Sequence, residues 1–154
     1  MLAALLRRVE TLAVGLAGMG AVIIVVQMLW ISYGVFMRYG LSRPDGTVTE
    51  ATALLLFPAA FLGLAYALKE DAYPKVSFLP DALGPRGRRA LEALNLLLMI
   101  GVGGFFSIAA VLATMNSFNS GASSEILLWP RYLFWAPGAV ALLVFTTHVV
   151  LKLA

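Results

Sequence analysis

The sequence has no cysteine, a single histidine and few charged residues, and each scarcity excludes a class of protein. Without cysteine, disulfides, thiolate metal sites and thiol catalysis are excluded. One histidine, His148, cannot supply both ligands of a bis-histidine haem, and it is too little for a zinc site. Only 12% of the residues are charged, whereas soluble domains carry about 25%.

Apolar residues dominate what is present. They make up 61% of the 154 residues, and the mean hydropathy is +0.91. A soluble chain of this length could not bury so much apolar surface in one core, so its main solvent must be lipid. The pattern predicts one all-α membrane domain over residues 1–154, which begins with a short interfacial lead-in at residues 1–10. Its transmembrane helices are predicted at about residues 11–38, 48–68, 91–113 and 129–152.

The basic residues predict the orientation of these four helices. Eight of the eleven fall on one side of the predicted bundle and three on the other. The positive-inside rule therefore places both termini and the loop at residues 69–90 in the cytoplasm. The residues of that region that determine the topology are Lys69, Lys75, Arg86, Arg88 and Arg89. Because the basic residues separate apolar runs and form no patch with aromatics, lipid is the expected partner and nucleic acid is not.

Glu50 is the acid with the most informative position. If Thr47 is the N-cap of helix two, Glu50 falls at N3 and the pair forms a capping box. Alternatively, Glu50 contacts a partner subunit or pairs with Arg38 or Arg43, and these interpretations can coexist. A Na⁺ or proton site is disfavoured because a single carboxylate at a helix mouth lacks further oxygen ligands. The other notable polar residue, His148, is interpreted as an interfacial or interhelical hydrogen-bonding group.

Helix two also carries a stripe of small residues and a proline. Ala59, Gly63 and Ala67 recur at a spacing of four, which is typical of close helix packing in membranes. Pro58 removes one backbone hydrogen bond and predicts a kink. No ionisable residue falls at mid-depth of any predicted helix, where such residues are usually functional. The chain is therefore predicted to be a non-catalytic accessory subunit without cofactors, and its surplus apolar surface fits either lipid or a larger membrane partner.

Several segments of the sequence follow one another in an order that resembles a known family. Helix one ends in Phe36-Met37-Arg38-Tyr39, Glu50 follows a short turn, and residues 61–68 read FLGLAYAL before a charged loop containing VSFL. This arrangement resembles the small, DctQ-like membrane subunit of tripartite ATP-independent periplasmic (TRAP) transporters. The family often has a tryptophan shortly before the acid, where this chain has Thr47-Val48-Thr49.

The resemblance implies a role and partners. The chain would brace a large, DctM-like, elevator-type membrane subunit that holds the Na⁺ and substrate sites. A periplasmic, DctP-like substrate-binding protein would deliver an organic acid. The expected location is the cytoplasmic (inner) membrane of a bacterium or archaeon. The candidate residues for the partner interface are Arg38, Tyr39, Arg43, Glu50, Ala59, Gly63 and Ala67.

Two other functions stay open on the sequence. The first is a small self-assembling transporter of four helices, although that class usually carries a mid-membrane carboxylate. The second is a membrane anchor of a redox complex, although a single histidine supplies too few cofactor ligands.

Overall fold

The membrane-spanning segments of the described chain are helical, with one interruption in the second of them. A computed structural model describes residues 2–73 and 84–153, and within them four segments are long and apolar enough to cross a membrane. The second crossing consists of two helices in line, so the prediction of four transmembrane helices is confirmed. The helices are α1 (Leu2–Tyr39), α2 (Gly46–Phe61), α3 (Leu64–Lys69), α4 (Pro85–Ser120) and α5 (Tyr132–Leu153).

The first helix begins earlier than predicted. It starts at Leu2, so the predicted lead-in is continuous with the first crossing and no turn separates them. The reason is local, because residues 2–10 contain good helix formers and neither proline nor glycine. At 1.5 Å per residue, α1 is roughly 57 Å long. Its ends must therefore extend beyond a hydrocarbon core of about 30 Å, even when the helix is tilted.

The last two helices also differ from their predicted bounds. α4 begins at Pro85, since proline is well tolerated in a first turn, and it continues through the polar residues 114–120 that were expected in a loop. It ends where Gly121 adopts a left-handed conformation with φ of 61°, a backbone geometry that favours glycine. α5 begins at Tyr132, so Pro130 lies before the helix and not in its first turn.

The second crossing is interrupted one turn after Pro58. The amide of Leu62 donates to the carbonyl of Pro58 at 3.0 Å, and the helical pattern then lapses at Leu62 and Gly63. It resumes in α3, where the amide of Ala67 donates to the carbonyl of Gly63 at 2.9 Å. Leu62 is fully buried and Gly63 is half-buried, so neighbouring helices cover much of this irregular backbone, as a membrane-spanning segment requires.

The helix α5 lies at the centre of the bundle. It packs against each of the other four described helices, whereas α4 packs mainly on α5 alone. The side chains of Leu142, Phe145 and Val149 are buried in this core. A hydroxyl pair, Ser107 and Thr146, joins α4 to α5 with 3.0 Å between the two oxygens. These contacts hold α4 against α5 within the bundle.

α1 packs on the bundle by a narrow stripe. Val9, Ala13 and Gly20 are buried along it, and the side-chain amide of Gln27 donates to the carbonyl of Thr52 in α2 at 3.1 Å. The rest of the helix surface is apolar and exposed, which is the surface that lipid or another membrane protein covers.

Candidate functional site

The carboxylate of Glu50 is bound by the loop that joins α4 to α5. The amides of Glu125, Ile126 and Leu127 all donate to it. The amide of Ile126 lies 3.0 Å from Oε1 and 3.1 Å from Oε2, and that of Leu127 lies 2.7 Å from Oε2. Three consecutive backbone N–H groups facing one carboxylate form an anion-binding concavity. We call Glu50 together with residues 122–131 the Glu50 clamp.

The loop of the Glu50 clamp is closed by its own backbone. The amide of Ser124 donates to the carbonyl of Trp129 at 2.9 Å, and that of Arg131 donates to the carbonyl of Ala122 at 3.0 Å. The amide of Trp129 also donates to the hydroxyl of Ser124 at 3.0 Å. Leu128 takes a positive φ of 56°, which a leucine rarely adopts, so the loop holds a specific conformation. Glu50 therefore binds a preformed turn.

The structure contradicts the prediction that Glu50 caps α2 together with Thr47. The N-cap of α2 is Asp45, whose Oδ1 accepts from the amide of Thr47 at 2.9 Å and from its hydroxyl at 2.7 Å. Thr47 thus lies inside the helix and donates to the cap. The predicted capping box is wrong because Asp45 already takes the N-terminal donors. Among the described residues, Glu50 forms no ion pair with Arg38 or Arg43, so that predicted pairing is also wrong.

The geometry suits Glu50 for positioning and not for acid–base chemistry. Each of its oxygens accepts two amide hydrogen bonds, which leaves little capacity to receive a proton from a substrate. Charge-assisted hydrogen bonds of this kind are stronger than neutral ones. The clamp links α2 to the α4–α5 loop across 75 or more positions of sequence. It therefore fixes the end of the bundle at which α2 begins.

The other polar candidates gather at the same end of the bundle. Arg38 and Tyr39 end α1 and line a groove of about 460 Å³ with Asp45 of the next connection and Thr49 of α2. Arg43 is exposed in that connection, where its amide donates to the carbonyl of Met37 at 3.0 Å. The two hydrogen bonds from Thr47 hold the pKa of Asp45 below its ordinary value.

The small-residue stripe faces partly outward. Ala59, Gly63 and Ala67 are each half-buried, and a methyl group on Gly63 would meet no atom within 4 Å. The buried positions of this crossing lie on another face, at residues such as Leu62 and Ala65. The stripe is therefore not the contact that holds this chain's own helices together.

The basic residues lie at the opposite end, mostly in helices. Arg86, Arg88 and Arg89 belong to the first turns of α4, where a loop was predicted, and Arg88 pairs with Glu92 at 3.2 Å. Lys69 ends α3 and pairs with Glu70 at 3.2 Å. Lys75 and the VSFL segment fall outside the described residues.

His148 is a core residue and not an interfacial one. Its side chain is 1% exposed between α5 and the backbone of Ala65 in α3, and its Nδ1 atom has no hydrogen-bond partner. One turn later, the ammonium group of Lys152 donates to the carbonyl of Leu68 at 3.0 Å. Over residues 2–73 and 84–153, no three histidine, cysteine, aspartate or glutamate side chains gather closely enough to hold a metal ion.

Comparison with known proteins identifies the family. The family model described as "Tripartite ATP-independent periplasmic transporters, DctQ component" matches residues 27–154. The chain belongs to the DctQ family. It is thus a small membrane subunit of a TRAP transporter, and the matched region contains the whole Glu50 clamp. No curated protein and no solved structure matches the chain.

Proposed function

We propose that this subunit is a non-catalytic scaffold that braces the large, DctM-like membrane subunit of a TRAP transporter. The transporter takes up an organic acid delivered by a DctP-like binding protein, with Na⁺ coupling and an elevator motion in the large subunit. Both termini of the scaffold face the cytoplasm of a bacterium or archaeon. No cofactor is bound by the scaffold itself, and the Na⁺ sites belong to the large subunit.

The observation that supports a scaffold is the absence of acidic residues, lysine and arginine from the middle of each crossing. In the sequence, no Asp, Glu, Lys or Arg occurs between Glu10 and Arg38, between Glu50 and Lys69, or between Arg131 and Lys152. α4 has none beyond Glu92. Ion and substrate pathways across membranes normally depend on such residues. A transporter subunit without them favours a supporting role beside a subunit that has them.

The Glu50 clamp and the apolar exterior fit that role. A brace must hold its own shape while its neighbour moves, and the clamp ties one connection of the bundle to the start of another crossing. The exposed apolar faces of α1 and the half-buried stripe at Gly63 offer area for a membrane partner. Arg38, Tyr39 and Arg43 lie exposed at the clamped end, where the binding protein would dock.

Co-purification tests the proposal directly. A tagged chain expressed with the large subunit and the binding protein is expected to retain the large subunit in detergent. Recovery of a homo-oligomer alone would contradict the proposal and favour the small self-assembling transporter. Recovery with a cofactor-containing enzyme would favour the redox anchor.

Glu50→Ala gives a sharper test of how the brace works. Loss of the carboxylate frees three loop amides, so we expect less assembled complex or slower uptake, while the substrate affinity of the binding protein is unchanged. Glu125→Ala is the matched control, since the Glu125 side chain is exposed in the same loop and only its backbone amide contributes to the clamp. Normal assembly and uptake in Glu50→Ala would show that the Glu50 clamp is not needed for the bracing role.

A further inference from the structure

The short helix α3 is held in place by side chains that donate to its backbone carbonyls. The ammonium group of Lys152 in α5 donates to the carbonyl of Leu68 at 3.0 Å. The hydroxyl of Tyr73, which follows α3, donates to the carbonyl of Leu64 at 2.9 Å. α3 has only six residues and comes directly after the interruption of the second crossing. These hydrogen bonds therefore add to packing in keeping α3 against the rest of the bundle.

His148 contributes to the same contact in a way that depends on its charge. Its side chain is 1% exposed, the ring meets the carbonyl of Ala65 in α3, and Nδ1 has no hydrogen-bond partner. A neutral imidazole carries one N–H donor and one acceptor nitrogen. Since Nδ1 is the unpartnered atom, the N–H that meets Ala65 belongs to Nε2. Protonation would turn Nδ1 into a buried donor without an acceptor, which is costly. The packing is therefore suited to the neutral ring.

The charged and titratable groups around this imidazole do not supply the missing acceptor. Lys152 lies one turn further along α5 and repels a positive charge on the ring. The half-buried Glu10 of α1 attracts such a charge but leaves Nδ1 without a hydrogen bond. On the side of α3, Lys69 pairs with Glu70, and the hydroxyl of Tyr73 is already engaged. α4 meets the adjoining core with apolar side chains, at Leu96, Met99 and Ile100.

We propose that His148 is a pH-sensitive latch for α3, closed while the imidazole is neutral and released when it is protonated. The interruption at Leu62 and Gly63 provides the hinge, because the helical pattern lapses there. The proton reaches the buried ring through brief local opening of α3, a kind of motion that folded proteins undergo. The latch lies at the end of the bundle that carries most of the basic residues. It goes beyond the scaffold role and does not rest on it, because every group involved belongs to this chain.

Thermal unfolding of the full-length subunit in detergent tests the latch. His148 is the sole histidine and the chain has no cysteine, so no other side chain has an ordinary pKa between pH 5.5 and 7.0. Below about pH 6.5 the unfolded chain binds a proton that the folded chain does not, so stability is level above that pH and is lost below it. The melting temperature should fall by roughly 3–5 °C between pH 7.0 and 5.5. A level melting temperature would overturn the proposal.

Two variants assign the pH dependence to His148. His148→Gln keeps an amide donor for the carbonyl of Ala65 but cannot be protonated, so its melting temperature should be the same at pH 7.0 and 5.5. The matched control is Val149→Ala, which removes buried methyl groups from the neighbouring position and should melt lower at both values while keeping the fall between them. A fall that persists in His148→Gln would contradict the latch.

Spin labels show whether α3 is the part that is released. Because the chain has no cysteine, labels can be attached to a cysteine pair at two exposed positions, Tyr66→Cys in α3 and Val150→Cys in α5. The distance between these labels should lengthen or broaden at pH 5.5 relative to pH 7.0, and His148→Gln should abolish the change. A control pair at Leu56 and Val140, also exposed, should give the same distance at both values. An unchanged distance for the α3–α5 pair would overturn the latch, even if the melting temperature fell.

Discussion

At the scale of single residues, the two carboxylates near the start of α2 have different structural roles. Asp45 satisfies the free amide of the first turn, and Glu50 is left to reach a loop 75 positions away. A cap is a local interaction, whereas the clamp is tertiary. The first stabilises α2 as a helix, and the second determines what lies against it.

The titration of Asp45 gives a test of the cap. Its pKa is held below the ordinary value of 3.8, first by the hydroxyl of Thr47 and then by the amide of Thr47. A lowered pKa in the folded state means that the cap stabilises the fold above about pH 3.8, and that this contribution is lost as the pH falls through the folded value. Thr47→Val removes the hydroxyl donor, so carbon-13 NMR of the Asp45 carboxyl should show its pKa rising toward 3.8.

Thr49→Val is the matched control for this titration. Thr49 is also a threonine of the first turns of α2, but it makes no hydrogen bond to Asp45. The Asp45 pKa should therefore be the same in Thr49→Val as in the unaltered chain. An unchanged pKa in Thr47→Val would show that the hydroxyl is not the donor.

The residue scale also shows how far the sequence predicts the site. The position of Glu50 marks it as an informative acid, but the spacing of Thr47 and Glu50 predicts a capping box, which the structure contradicts. Asp45 followed two positions later by Thr47 is an equally good local cap signal, and it prevails here. No pattern in the sequence reveals the amides of residues 125–127, because backbone donors are the same in every residue.

At the scale of helices, a few close contacts determine the packing. The tightest glycine contact between crossings joins α5 to α2, where a Cβ on Gly138 would clash with Cε1 of Phe57. The Phe57 ring cannot move aside freely, because it packs against Phe61 and Trp135 with ring centroids 4.8 and 4.4 Å away. Gly138 thus allows the two helices to approach within aromatic contact.

Gly138→Ala should therefore destabilise the subunit. The added methyl group forces Phe57 from its place, at a cost of about 1–3 kcal/mol as for other overpacked cores. Thermal unfolding in detergent, followed by circular dichroism, measures the effect. Gly101→Ala is the control, since a methyl group there meets no atom within 4 Å. Because alanine favours helix over glycine, it should be neutral or stabilising by up to about 1 kcal/mol.

A second substitution identifies the cause of that loss. Phe57→Leu shortens the side chain with which the new methyl group of Gly138→Ala would clash. The loss of stability in the double variant should therefore be smaller than the sum of the losses in the two single variants. Strict additivity would mean that Gly138 acts through something other than its contact with Phe57.

The helices also show why small residues are incomplete guides to packing. A spacing of four at Ala59, Gly63 and Ala67 predicts a contact, yet the tight contacts lie at glycines outside this stripe, such as Gly34, Gly103 and Gly138. A stripe of small residues indicates that another helix can approach that face closely. Whether it does so depends on the side chains of the helix that lies opposite. Length and apolar content, in contrast, are properties of the segment itself, and they predict the four crossings correctly.

At the scale of the whole molecule, charge is distributed unequally between the two ends of the bundle. With four crossings, the start of α1, the end of α3, the start of α4 and the end of α5 share one side of the membrane. Eight of the eleven basic residues belong to that side, and only Arg38, Arg43 and Arg131 belong to the other. The proposed orientation, with both termini in the cytoplasm, rests on this difference.

The absence of cysteine makes that orientation directly measurable. Single cysteines introduced into a chain without others react with no background, so each label reports one position. Leu41→Cys, in the exposed α1–α2 connection, should react with a membrane-impermeant maleimide in intact cells. Glu70→Cys, exposed just after α3, should react only after the cells are permeabilised. The reverse pattern would place the basic end outside, and with it would move the Glu50 clamp and the candidate residues Arg38, Tyr39 and Arg43 to the side that a periplasmic binding protein cannot reach.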